Sequence, residues 1–227
     1  MPAAGVQGNS ILFSEMTPDV SWENDFNDWY DTEHIPLRMG VNGFLSAQRY
    51  LTPGTRNYLV VYEMASAAVL KTGEYQTIKN NPSDRTRRML KSVSGFTRYI
   101  AQAAGEVKRR SMSAAEAIDA AYLYSVFFKT PVEREPEFDD WYEKDHIPAL
   151  MECSDWLMVR RFKIVDGEQE QWTHLALHYL ADMSALDSPA RVRARESPWR
   201  ARLAQEAWFK PKYIVSARHA ARQTAKV

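Results

Sequence analysis

The sequence predicts an α+β chain in which one compact unit is used twice. The first observation behind this is a repeat. Phe26 to Met39 reads FNDWYDTEHIPLRM and Phe138 to Met151 reads FDDWYEKDHIPALM, identical at eight of fourteen positions, with charge kept at Asp31/Glu143 and Glu33/Asp145. The second is that both copies sit in the same order of flanking elements: strand, helix, strand, strand, helix, strand. The third is a set of echoes in register: Gln48-Arg49-Tyr50 with Arg160-Arg161-Phe162, Phe44 with Trp156, and Ser83 and Arg88 with Ser197 and Arg202.

Taken in order, Ser10 to Met16 is a short apolar run ending at Pro18, which suits a buried strand. A helix follows Ser21. Glu23, Asp25 and Asp28 suit the positive end of its dipole, Phe26, Trp29, Tyr30 and His34 recur at helical spacing, and Pro36 disrupts or kinks it near His34. Phe44 to Leu51 and Asn57 to Met64 form a hairpin across Pro53-Gly54. Ala67 to Asn81 and Ser83 to Val93 form a second helical region broken at Asn81-Pro82, and Gly95 to Ala103 returns to strand. The polar stretch from Gly105 to Ile118 matches no element of either copy and reads as a connector.

The second half repeats the order: strand Tyr122 to Lys129, helix Glu133 to Met151, hairpin strands Trp156 to Val165 and His174 to Leu180 with Asp166-Gly167 as turn signal, helix Met183 to Ala207, and strand Lys212 to Arg218. Such a βαββαβ unit is ferredoxin-like. It places two helices on one face of a four-stranded antiparallel sheet and leaves the other face apolar and uncovered. Two repeats, 8–104 and 120–219 joined by 105–119, solve this by packing sheet against sheet into an α+β barrel.

Composition narrows the function classes. With 45% hydrophobic residues, seven Trp and eleven Tyr, the 227 residues can bury a sizeable core. Lys plus Arg equals Asp plus Glu at 29 each, which removes the electrostatic attraction behind nucleic-acid binding. No window approaches the ~20 apolar residues of a membrane span, and the first residues show no basic region followed by a long apolar one. A cytoplasmic protein is expected, with no nucleic-acid or membrane partner. Cys153 is the one cysteine, read as a small buried hydrophobe, so no disulfide or cysteine metal site forms within the chain.

The order of elements and the W-Y-x-x-[ED]-H-I-P segment, present twice, resemble the dimeric α+β barrel superfamily and within it the EthD-like proteins, here as a tandem duplication in one chain. The resemblance covers nearly the whole chain. It implies small-molecule chemistry of many kinds, from cyclases, decarboxylases and isomerases to quinone-forming monooxygenases and more distant haem proteins. It also implies a cavity between sheet and helices in each unit, faced by the histidine that ends the first helix, which is His34 and His146 here.

The residues themselves point the same way. Tyr30 and His34, like Tyr142 and His146, are four apart and share a helix face, and imidazole beside phenol is a workable proton-transfer couple. The neighbouring carboxylates Glu33, Asp145, Asp31 and Glu143 are candidates to orient the ring; packing at the helix end is the bland alternative for each histidine. The third strand diverges, with Tyr58 and Tyr62 in the first half but His174 and His178 in the second, so Tyr62, His174 and His178 are candidate substrate contacts, and the two histidines share a strand face. Arg49 and Arg161 recur on the hairpin strand, suited either to a substrate carboxylate or to an ion pair with a helix carboxylate. Arg191 to Arg202, interrupted by Glu196, reads as a solvated helix face.

Together these predict a cofactor-independent enzyme of lyase, isomerase or hydrolase type, using His/Tyr acid–base chemistry on a small hydrophobic oxygenated compound such as an aromatic, polyketide or terpenoid. The alternative is a non-catalytic small-molecule or haem-binding protein. No cofactor is expected, with haem or a metal ion left open. The partner is a small-molecule substrate, and the assembly is a monomeric pseudo-dimer or a homodimer. If only one half keeps a working site, the third-strand histidines favour the second.

Overall fold

In a computed structural model, residues 5–168 and 171–225 are described. They form an α+β fold whose eight antiparallel strands follow one another in hydrogen-bonded order β1-β3-β2-β8-β5-β7-β6-β4 and close as a barrel. The strands are β1 (Ser10–Thr17), β2 (Phe44–Leu51), β3 (Tyr58–Met64), β4 (Ser94–Lys108), β5 (Tyr122–Phe128), β6 (Trp156–Glu168), β7 (His174–Leu180) and β8 (Lys212–Thr224). The chain divides into two compact units, the first running through Gln102 with Val165 to Glu168 and Ser216 onward, the second taking Ala103 to Ile164 and Gln171 to Val215.

In the first unit, β1 lies between β3 and β4, and β2 joins β3 to β8. Alternation decides the faces. Leu12, Met16, Tyr58, Val60, Tyr62 and Met64 point toward the helices and share a core with Phe26, Trp29, Tyr30, Ile35 and Met39, while Ile11, Phe13, Leu59 and Val61 on the opposite face are also buried. The helices are α1 (Glu23–Trp29), α2 (Ile35–Met39), α3 (Gly73–Asn80) and α4 (Asp84–Ser92). Thr72 and Ser83 cap α3 and α4, so the break expected at Asn81-Pro82 is a change from one capped helix to the next. Gly43 (φ +95) closes the turn before β2, where a Cβ would lie 2.4 Å from the Val69 side chain.

The second unit repeats this plan. Here β7 lies between β5 and β6, and Tyr124, Val126, Phe128, Val159, Ala176 and Leu180 pack on α6 (Glu135–Trp141), α7 (Ile147–Leu150), α8 (Pro189–Glu196) and α9 (Pro198–Leu203), the short α5 (Ala114–Ala117) having preceded β5. The single helix expected over 183–207 is instead a 3-10 turn followed by two helices. Ser188 and Ser197 each cap a helix that opens on a proline, because a proline fits the first turn and not the interior.

Three expected boundaries also move. β4 runs to Lys108, into the segment read as connector, and β8 runs past Arg218 to Thr224. Asp166-Gly167 is no turn; it lies inside β6. Asp166 faces Arg98 at 3.7 Å, and a Cβ on Gly167 would sit 2.7 Å from the Tyr99 ring, so this glycine permits a close approach and does not reverse the chain. Among the described residues no helix is long and apolar enough to cross a membrane.

Candidate functional site

The repeated segment is not a uniform helix. In both copies the α-helix passes into a π turn that begins at the tyrosine and ends at the histidine, Tyr30–His34 and Tyr142–His146, before α2 and α7 resume. The Ile35 N–H donates to the Tyr30 carbonyl and the Ile147 N–H to Tyr142, one residue further back than an α-helix allows. Pro36 and Pro148 explain the location: neither has an N–H to continue the α ladder, and a widened turn absorbs the missing bond. The tyrosine and histidine thus project side by side, their ring centroids 4.8 Å apart in the first unit and 5.2 Å in the second.

In the first unit, Tyr30, His34, Arg38, Tyr62 and Tyr75 line a cavity of about 190 Å³ whose mouth carries Lys79 and Leu90. His34 is buried against Trp29, with ring centroids 4.3 Å apart, and makes no side-chain hydrogen bond among the described residues. Burial, with the Arg38 and Arg49 guanidiniums adding to it, holds its pKa well below the ordinary 6.5, so the ring is a neutral base at physiological pH. Burial raises the Tyr30 and Tyr62 pKa values, which keeps both phenols protonated. The Tyr62 hydroxyl lies near enough to Tyr30 for each to affect the other's ionisation, yet makes no hydrogen bond of normal geometry. Arg38 lies over the Tyr62 ring at 5.5 Å, donates to the His34 carbonyl at 2.8 Å, and has no carboxylate partner among the described residues.

In the second unit, Tyr142 and His146 line a smaller pocket of about 30 Å³ with Tyr124, Trp141, Arg191, Arg195 and Arg200. His146 keeps some exposed surface, but its Nδ1 is buried without a partner. Burial pushes its pKa down to about 3, opposed by the Ala194 backbone and reinforced by Arg200, Arg191 and Arg195. His178 stands behind Tyr142 and not in the pocket wall. The Trp156 indole N–H donates to His178 Nδ1 at 3.1 Å, and His178 Nε2 lies 3.3 Å from the Tyr142 hydroxyl. The larger of these two cavities therefore belongs to the first unit, and neither third-strand histidine lines the second-unit pocket.

Other expected contacts go elsewhere. His174 and His178 share a strand face but not a cavity: His174 lines a separate apolar recess near Phe138 and accepts or donates at Thr173 Oγ1, 2.9 Å away. Arg49 is buried and bound to Asp31 at 2.8 Å, and Arg161 is bound to Asp139 at 2.7 Å and to Glu143. Neither arginine lines the Tyr/His cavity of its unit, because the adjacent helix carboxylates satisfy both. Among the described residues no carboxylate bonds the His34 or His146 ring either. Glu33 accepts from Ser83 and Thr86, and Asp145 from Ser197, bracing the starts of α4 and α9. Arg38, Tyr75 and the three α8–α9 arginines are the site residues that sequence reasoning missed. Cys153 is half-buried against the second core.

No group of three or more His, Cys, Asp or Glu side chains able to hold a metal occurs among the described residues. Neither cavity reaches the ~300–1,000 Å³ of sites for drug-sized ligands.

Searches for related sequences return no matching family model and no matching curated protein. Solved structures do match. The chain is similar to an anthrone oxidase-like protein at 11% identity and a TM-score of 0.66, covering 97% of this chain and 95% of that one. It is also similar to a candidate monooxygenase from Fusobacterium nucleatum subsp. nucleatum, at 11% identity and a TM-score of 0.52 over 93% of both chains. A mutant chlorite dismutase from Candidatus Nitrospira defluvii matches at 8% identity and a TM-score of 0.58, over 93% and 91%. What the chain shares with them is an α+β fold with an eight-stranded antiparallel barrel. At such identities the likeness extends to the fold alone.

Proposed function

We propose that the protein is a cofactor-independent acid–base enzyme that enolises a small oxygenated aromatic or polyketide-like ketone, and that the first unit performs the chemistry. The observation that carries this reading is the pairing, in the larger cavity, of a neutral, hydrogen-bond-free imidazole with two protonated phenols and an uncompensated guanidinium. His34 takes a proton from the carbon beside the substrate carbonyl. The C–H electron pair moves into the carbonyl as an enolate oxygen, held by a Tyr30 or Tyr62 hydroxyl and by the charge of Arg38. Return of the proton from the imidazolium to the same or another carbon completes an exchange or isomerisation, and no oxidant is consumed. The anthrone oxidase-like and monooxygenase descriptions of two structural neighbours favour a substrate of this enolisable aromatic kind. We read the two halves as diverged ferredoxin-like, EthD-like repeats on the strength of the doubled DWY and HIP residues.

The test is deuterium incorporation into 2-tetralone and anthrone in buffered D2O under argon, followed by NMR. Exchange above the buffer rate that falls by at least ~10²-fold in His34→Gln, with the fold kept by circular dichroism, is the expected result. Exchange no faster than buffer for both ketones, or equal in the variant, overturns the reading. Ligand affinity that weakens without any loss of exchange is what a binding protein would give.

A further inference from the structure

Five arginines lie on α8 and α9, and they fall into two sets. Arg193 is ion-paired with Glu152, both exposed, and the exposed Arg202 is paired with the half-buried Glu137 at 3.1 Å. Arg191, Arg195 and Arg200 line the second-unit pocket and have no carboxylate within ion-pairing distance among the described residues. One N–H of Arg191 reaches the Leu186 carbonyl at 2.5 Å and one of Arg200 the Arg195 carbonyl at 3.0 Å, which leaves each guanidinium further donors. Three like charges converging on a small pocket repel one another unless an anion joins them.

Two further groups of the wall, Trp141 and Tyr142, are also able to donate. An indole N–H can only donate, so the Trp156 bond to His178 Nδ1 fixes the proton of the neutral ring on Nε2, and Nε2–H then donates to the Tyr142 oxygen. The Tyr142 O–H is left to donate into the pocket that this residue lines. The Trp141 Nε1–H is buried on the same wall without any acceptor. Its first-unit counterpart, Trp29, donates to Thr86 at 3.0 Å. Arg200 occupies the position of Thr86, each being the residue whose N–H meets the serine that caps its helix. By the same alignment Arg191 stands in place of Tyr75 and Arg195 in place of Lys79.

We propose that the second unit is a binding site for a compact oxyanion, the carboxylate or phosphate head group of a small molecule, held by Arg191, Arg195, Arg200, the Tyr142 hydroxyl and the Trp141 indole. A volume of about 30 Å³ takes a head group and not a ring, so any organic tail leaves past Arg195, which is exposed at the mouth. The site stands on its own geometry and does not depend on the enolisation reading.

The test uses the full chain, titrated with sodium acetate, sodium benzoate and inorganic phosphate at constant ionic strength held with chloride, reading intrinsic tryptophan fluorescence. Saturable quenching by at least one of these anions is expected. The dissociation constant should rise about tenfold or more in Arg195→Gln, rise less in Arg195→Lys, and stay unchanged in His34→Gln. Tighter binding of benzoate than phosphate assigns a carboxylate ligand, and the reverse assigns a phosphate. Absence of saturation with all three anions, an unchanged constant in Arg195→Gln, or equal weakening in Arg38→Leu overturns the proposal. Because Arg195 is exposed, its replacement tests the charge without disturbing a core. The readout is binding, so its failure is distinguishable from a failure of turnover.

Discussion

The two units start from the same scaffold and differ in what fills it. Each puts a tyrosine and a histidine at the ends of a π turn, with aromatic rings packed beneath. In the first, Tyr62 stands behind Tyr30, Phe44 offers no hydrogen bond, and Arg38 reaches over a cavity of about 190 Å³. In the second, His178 stands behind Tyr142, Trp156 locks its tautomer, Leu150 takes the place of Arg38, and arginines from α8 and α9 fill a pocket of about 30 Å³. The two units thus keep the same tyrosine–histidine pair while differing in space and charge, and most of the residues that differ lie on the third strand and the second helical region.

The contrast breaks most sharply at the histidines. His34→Gln should cost ~10²–10⁴-fold in ketone exchange, whereas His146→Gln should leave exchange within a factor of a few. Equal losses in the two single variants would mean that both cavities react. Next in size is Arg38→Leu, which writes the second unit's residue into the first. It removes a cation that depresses the His34 pKa, so the pH at which kcat/KM falls on the acid side should move up toward 6.5, with a loss of about tenfold or more from weaker enolate stabilisation. A lower rate with no displacement of the acid limb would assign Arg38 to packing.

Acidification separates the units by stability. All five histidines have folded-state pKa values below the ordinary 6.5 because burial disfavours their charged form. Below that pH the unfolded chain takes up protons that the folded chain refuses. Stability is therefore level above pH 6.5 and falls as the pH drops from 6.5 toward 5, before most carboxylates titrate. His146, His174 and His178 belong to the second unit, so hydrogen exchange at pH 5 should show that unit opening first; uniform protection across both would contradict this. The smallest effect is expected for Trp156→Phe, which imitates Phe44. Losing one buried hydrogen bond costs about 1–2 kcal/mol in denaturant unfolding and frees the His178 tautomer. No measurable change would show that this bond contributes nothing net.

Much of the architecture was legible because it is written in periodicity and punctuation. The doubled segment, the alternating strands and the Asn81-Pro82 break each have a local cause that a reader of residues can find. The π turn was not legible, since Pro36 announces only a missing N–H and the chain has several ways of absorbing it. The far ends of β4 and β8 were missed because their residues are polar and partly exposed, so pairing and not burial keeps them in strand form. Asp166-Gly167 misled for a related reason: a glycine serves a turn and a tight approach equally well. Of the candidate residues, Tyr30, His34, Tyr142 and His146 were singled out by spacing, whereas the arginines were hidden by composition. Arg191 and Arg195 are four apart, as two residues on one inward face should be, yet Arg193 and Arg202 beside them are ordinary solvated ions, and nothing local tells the two sets apart.

The length of β8 bears on how this chain comes off the ribosome. Its last turn of strand, from Ala217 to Thr224, pairs with β2, opposite residues synthesised some 170 positions earlier, as in the Gln48 bonds to the His219 and Ala220 carbonyls. The unit that is translated first cannot complete its own sheet until the closing residues have emerged. During that interval β2 presents an open edge, which makes the order of synthesis itself a hazard that the nascent chain, or a chaperone attending it, has to manage.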